Sequence, residues 1–194
     1  PRLVRTTEAA IALLAFVLVT LEVRSVFQPG TMTSAEASFW ERTFYVLVWG
    51  GFALAALWIA RSKHDVVALW AWRLSGGLAV TTVLVVQVLT ANPIFEKASV
   101  GSWPILNGLL LAYALPAAMA ALAARWVDIE PSKHVAALAG GTASVLAFVY
   151  VSLEVRHLFD VDFQRGGLEA EGLELYTYSI VWLLFGIVLL AWGF

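Results

Sequence analysis

Six stretches of this chain run for about twenty residues with almost no charge, and nothing else in the sequence constrains the fold as strongly. TFYVLVWGGFALAALWIA, residues 43–60, contains no Asp, Glu, Lys or Arg and is closed by Arg42 and Arg61. A helix needs about 20 mostly apolar residues to cross a bilayer's hydrocarbon core. Further runs fall at about 3–24 (with Arg5 and Glu8 near its start), 68–90 (interrupted only by Arg73), 104–126, 135–153 and 175–194. Backbone polar groups in lipid must be satisfied within a helix or a closed barrel. The ten-residue alternation of a membrane barrel is absent. The pattern predicts an all-α membrane protein with six transmembrane helices, and Pro104 falls where a first helical position is expected in the fourth span. Composition agrees: 61% of residues are hydrophobic and 13% charged, against roughly half and a quarter in soluble domains.

The basic residues set an orientation. Arg2, Arg5, Arg61, Lys63, Arg125 and Lys133 fall on the side of the N-terminus, and Arg24, Arg42, Lys97, Arg156 and Arg165 on the other. Six against five predicts a cytoplasmic N-terminus by the positive-inside rule. Ten acidic residues, among them Glu22, Glu41, Glu96, Glu154, Asp160 and Glu174, would make the outer face acidic. Trp58, Trp70, Trp72, Trp126 and Trp192 fall near the inner span ends, and Trp40 and Trp103 near the outer ones. The first apolar run has no small-residue cleavage pattern behind it and reads as a membrane helix, not a signal peptide. The chain has no cysteine, which excludes disulfides, thiolate catalysis and Cys-based metal sites. A net charge of −2 carries no nucleic-acid footprint. No cofactor and no metal is indicated.

One phrase occurs twice. LEVRSVF at 21–27 returns as LEVRHLF at 153–159, which matches Glu22 with Glu154, Arg24 with Arg156 and Phe27 with Phe159 at an offset of 132. In the next span Glu41, Tyr45 and Trp49 match Glu174, Tyr178 and Trp182 at an offset of 133, although Thr43 falls on Tyr176. Glu, Tyr and Trp recur every four residues and so form one stripe per helix. The two copies start four spans apart, so they point the same way, as a parallel internal repeat does. Residues 1–134 would be a first four-helix repeat and 135–194 the first two helices of a second. With no leading methionine, the chain reads as about one and a half repeats of something longer.

LEVRHLF, the run ELYTYSIVWLLFGIVLLAWG and SWPILNGLLLAYALPA (102–117) resemble a bacterial domain-of-unknown-function family of predicted multi-pass membrane proteins, built of repeated helical units. Together the matching phrases cover most of the chain. The resemblance implies the bacterial inner membrane and a longer parent. It implies no reaction.

Charges at membrane depth cost about 2.5–3.5 kcal/mol or more each and are functional candidates by default. Glu22 and Arg24 lie two residues apart on nearly opposite faces of one helix, which predicts pairing between repeats: Glu22 with Arg156 and Glu154 with Arg24. The alternatives are snorkelling to the outer headgroups or local pairing, and a ligand site. Arg73, Gln87, Asn107 and Tyr113 are the groups best placed to line a polar path; Gln87 lies fourteen residues after Arg73, near the same helix face, and Pro116 would kink the next span. The Glu41–Tyr45–Trp49 and Glu174–Tyr178–Trp182 stripes read as helix packing or as an amphipathic wall for a headgroup. His157, Asp160 and Asp162 are a thin catalytic or metal-binding lead, absent from the first copy. The patches GGF (50–52), SGG (75–77) and AGGTAS (139–144) predict close helix contacts. The two long outer loops could hold short surface helices. Three readings follow: a transport-like unit for a polar or lipid-linked molecule, a structural or assembly subunit without substrate, or an outer-face enzyme. The expected partners are membrane lipids and further membrane helices.

Overall fold

In the computed structural model, residues 2–28, 37–127, 133–164, 170 and 172–192 are described. Those residues are helical wherever they are regular, and no strand occurs among them. Five helices are long and apolar enough to cross a membrane. They are α1 (Arg2–Phe27), α2 (Phe39–Lys63), α3 (Val66–Thr90), α6 (Lys133–Phe159) and α7 (Leu173–Trp192). Between them lie a single turn, α4 (Pro93–Glu96), and the shorter apolar helix α5 (Leu110–Trp126).

Local signals explain the boundaries. Ser38 Oγ accepts the Glu41 backbone N–H at 3.2 Å and starts α2. Asp65 Oδ1 accepts from Val67 N–H at 2.7 Å and from Ala68 N–H at 3.4 Å, which starts α3. His64 (φ 52°) reverses the chain between them, so α2 and α3 are antiparallel neighbours. Asn92 caps α4 ahead of Pro93, and Lys97 (φ 50°) ends it. Of the two predicted outer-loop helices, residues 29–36, 165–169 and 171 lie outside the described set. The second loop begins with a single 3-10 turn, Val161–Phe163.

The fourth predicted span is shorter than expected. Pro104 is not at a first helical position. Residues 98–107 are irregular, with Gly101 at φ 95° and Ile105 at φ 67°. The helix takes hold only after Asn107, whose Oδ1 accepts the Leu109 N–H at 2.9 Å. The apolar run 104–106 is therefore loop, which periodicity cannot distinguish from helix over so few residues.

α3 and α5 each contain a π-helical stretch, Thr82–Thr90 in α3 and Leu110–Ala114 in α5. The stretch in α5 ends two residues before Pro116, which lacks an N–H to give to the helical ladder.

α2 is central: α1, α3 and α5 all pack on it, and α6 packs on α5. α7 packs against α6. The core joins Val46, Val83, Leu109, Ala112, Ala117, Leu146 and Leu153 around Tyr113, with Ile94, Val100 and Phe163 closing one end. Lipid gives helices no hydrophobic reason to associate, so close contact and hydrogen bonds must hold them. Gly50 serves that purpose on α2, where an added Cβ would lie 2.9 Å from Met119 Cε of α5. Gly108 does so too, with a Cβ position 2.9 Å from the Trp40 ring and 3.2 Å from the Val100 carbonyl. Gly141 does not: nothing lies within 4 Å of its Cβ position. The 139–144 patch instead borders a cavity through Ala139 and Thr142.

Candidate functional site

The ends of α1 and α6 and the starts of α2 and α7 carry the charges that the sequence places near the membrane surface. Arg24 Nη1 donates to Glu41 Oε1 at 2.6 Å. Glu41 also accepts from Tyr45 OH at 2.9 Å and from Gln28 Nε2 at 3.0 Å. Two turns deeper, Trp49 Nε1 donates to Thr20 Oγ1 at 2.9 Å, and Phe16 packs on Trp49 and Phe52. Between α6 and α7 the Arg–Glu, Trp–hydroxyl and Phe contacts recur. Arg156 Nη1 donates to Glu174 Oε1 at 2.9 Å, Trp182 Nε1 donates to Ser152 Oγ at 3.1 Å, and Phe148 packs on Trp182 and Phe185. Phe16, Thr20 and Arg24 precede Phe148, Ser152 and Arg156 by 132 residues; Glu41, Trp49 and Phe52 precede Glu174, Trp182 and Phe185 by 133.

The reciprocal pairing of Glu22 with Arg156 and of Glu154 with Arg24 does not form. Each arginine reaches the helix that follows its own, because an antiparallel neighbour puts its first-turn Glu level with the last-turn Arg. Glu22 is exposed. Glu154 is buried and accepts the Ile105 backbone N–H at 3.3 Å through Oε2. With Tyr150 OH donating to the Ile105 carbonyl at 3.3 Å, and His157 Nε2 2.7 Å from the Gly101 carbonyl oxygen, one face of α6 holds the irregular segment in place.

His157 is thus a buried packing residue, and Asp160 is buried 3.5 Å from Arg156. The Asp162 side chain lies outside the described residues. No group of three potential metal ligands occurs among the described residues.

The expected polar path divides. Gln87 and Tyr113 meet: Tyr113 OH donates to the Gln87 carbonyl at 2.9 Å, and Gln87 Nε2 donates to Thr43 Oγ1 at 3.4 Å, all three residues fully buried. Gln87 Oε1 has no hydrogen-bond partner among the described residues. Asn107 caps α5 and stands apart from this cluster. Arg73 does not join it either. The π-helical stretch between the two positions breaks the 3.6-residue period that put Arg73 and Gln87 on one face.

Arg73 instead lies over the Trp70 ring, 5.1 Å from its centroid, and lines an apolar cavity of about 390 Å³. The cavity runs between α3 and α6 over a floor of α2 and α5, with Gly50, Gly76, Gly77, Pro116, Met119 and Thr142 in its walls. A second cavity of about 390 Å³ lies between α1 and α3, with Arg5 in its lining. Each is within the roughly 300–1,000 Å³ range of small-molecule sites. Such spaces suit hydrocarbon better than a polar solute. Neither cavity is legible in the sequence, since each is assembled from several helices; the only local signal is the paired glycine at 76–77. The Arg42–Glu96 ion pair, which ties α2 to α4, also has no signal in sequence spacing.

A family model described as "Predicted membrane protein (DUF2339)" matches residues 1–194. No curated protein and no solved structure matches the chain. The chain belongs to the DUF2339 family of predicted membrane proteins, a family of unknown function.

Proposed function

We propose that this member of the DUF2339 family is a transport-like unit of the bacterial inner membrane that admits the apolar chain of a lipid or lipid-linked molecule between α3 and α6. The observation that carries the reading is the cavity itself. Gln87, Asn107 and Tyr113 lie outside its described lining, and what remains open is an apolar space with Arg73 as the one arginine among the described lining residues. In this reading the N-terminus is cytoplasmic, which puts Arg5 and Arg73 toward the inner leaflet. The segment 98–107 together with α5 completes a sixth crossing. α1–α2 and α6–α7 are two copies of one hairpin in a parallel repeat with the unit boundary near residue 134, a reading supported by the recurrence of the Arg–Glu, Trp–hydroxyl and Phe contacts.

The test uses the absence of native cysteine. Bimane attached to Ala120→Cys on the half-buried wall of the cavity should be quenched by acyl-brominated lipids in nanodiscs. Gly77→Phe, whose Cβ position is open, should fill the space and remove the quenching. Equal quenching with and without the filler would refute chain entry. Flux of a fluorescent lipid across proteoliposomes, lost in Gly77→Phe, would distinguish transport from retention.

One observation favours a structural or assembly role as a second reading. None of the most apolar window of α7 is buried, and 6% of that of α1 is, which leaves broad faces for further helices. An outer-face enzyme is not proposed, because His157 and Asp160 are both engaged in packing contacts.

A further inference from the structure

Resting on the reading that hydrocarbon occupies the space between α3 and α6, we propose that the molecule it takes is a neutral long-chain alcohol, whose hydroxyl donates to the buried Gln87 side chain at the end of the cavity. Gln87 is fully buried, and its Oε1 has no hydrogen-bond partner among the described residues. A buried acceptor with nothing to accept from is costly, so the atom is set for a donor. Its neighbours fix which way the amide points. Thr43 Oγ1 gives its proton to the Phe39 carbonyl at 2.9 Å and so can only accept from Gln87. That places Nε2 against Thr43 and leaves Oε1 as the open atom. Tyr113 OH has given its proton to the Gln87 backbone carbonyl at 2.9 Å.

These three side chains stand one turn beyond the cavity on three different helices. Its lining ends at Val46 on α2, at Val83 and Leu84 on α3 and at Pro116 on α5. Thr43 precedes Val46 by three residues, Gln87 follows Val83 by four and Tyr113 precedes Pro116 by three. The hydrogen bonds among the trio bring these ends together. Val46, Val83 and Leu146 line the cavity and share one buried cluster with Tyr113, so an apolar layer is what a hydroxyl must part to reach Oε1. The chemistry of this end selects the class of ligand. All three side chains are neutral, and an ion brought here would forfeit its hydration. A buried water needs roughly two to four polar partners, whereas this open acceptor lies beside valine and leucine. An alcohol has one O–H to give and carbon on its other side, which matches one open acceptor at the end of a hydrocarbon-lined space. A fatty acid would set a second oxygen against Oε1. The lining runs along α3 from Trp72 to Leu84, about 18 Å at the helical rise, which suits a long chain.

The experiment extends the quenching assay. The full chain carrying bimane at Ala120→Cys, in nanodiscs of acyl-brominated lipid, is titrated with hexadecanol, its methyl ether or hexadecanoate, each expressed as its mole fraction in the bilayer. Relief of quenching is followed. The alcohol should relieve it at about a fivefold lower mole fraction than the ether or the acid, the equivalent of one neutral hydrogen bond. Gln87→Met keeps the volume and removes the acceptor; it should bring the alcohol to the ether's value and leave the ether's value unchanged. Equal relief by alcohol and ether with Gln87 in place overturns the proposal and is the result expected if Oε1 holds an ordered water only. That comparison needs no substitution in the core. An alcohol preference that survives Gln87→Met overturns the proposal as well. If either result appears while brominated chains still quench the probe, chain entry stands and only the hydroxyl assignment falls; if quenching itself is absent, both fall.

Discussion

Replacing the arginine of each hairpin by methionine should separate two ion pairs that read identically in the sequence. Arg156 and Glu174 are each 3% exposed, and Arg156 Nη1 is the hydrogen-bond donor to the Glu174 carboxylate. Asp160 adds a second carboxylate 3.5 Å from the same guanidinium. Arg156→Met removes the cation between two buried acids, and breaking such a pair costs about 3–5 kcal/mol. Glu41 is buried as deeply, at 1% exposure, but it keeps the Tyr45 hydroxyl and the Gln28 amide when Arg24 is removed. Arg24 is also 19% exposed. Of the three hydrogen bonds that Glu41 accepts, Arg24→Met removes the charged one, a loss of about 1.5–3 kcal/mol at that carboxylate. The difference of about 2 kcal/mol is roughly thirtyfold in the unfolding equilibrium. It can be read from midpoints of dodecyl sulfate titrations of the detergent-solubilised protein, followed by tryptophan fluorescence. Adding Glu174→Gln to Arg156→Met should recover part of the loss, because an amide tolerates burial where an unpaired carboxylate does not. An Arg24→Met loss equal to or greater than that of Arg156→Met would refute the reasoning.

Glycine substitutions should behave oppositely at two sites. Gly108→Ala meets the Trp40 ring and the Val100 backbone carbonyl and should cost about 1–3 kcal/mol. Gly141→Ala enters open space on a helix and should gain up to about 1 kcal/mol, as thermal denaturation in detergent would show. Tyr113→Phe deletes the hydroxyl that the Gln87 carbonyl accepts from and should cost about 1 kcal/mol. It should also speed amide exchange in the Thr82–Thr90 stretch, and unchanged exchange there would argue against that bond as the clamp between the two π-helical segments.

Helix class, most span positions and the matched residues of the two hairpins were legible in the sequence, because each depends on local quantities: a run of apolar residues, a cap, a phrase repeated at fixed spacing. Thr20 and Ser152 were legible only in hindsight, as small hydroxyls one turn before the arginine of the Glu-x-Arg phrase. The tertiary structure decided what local pattern cannot encode. It set which helix neighbours which, so Arg24 found Glu41 and not Glu154. It also let Asn107 and the left-handed Ile105 delay α5, so a run apolar enough for a full span became loop and shorter helix. The π-helical turns in α3 rotated Gln87 away from Arg73 and left the arginine beside hydrocarbon-lined space. A cavity is the volume that four packed helices fail to fill, and no single segment of sequence carries that information.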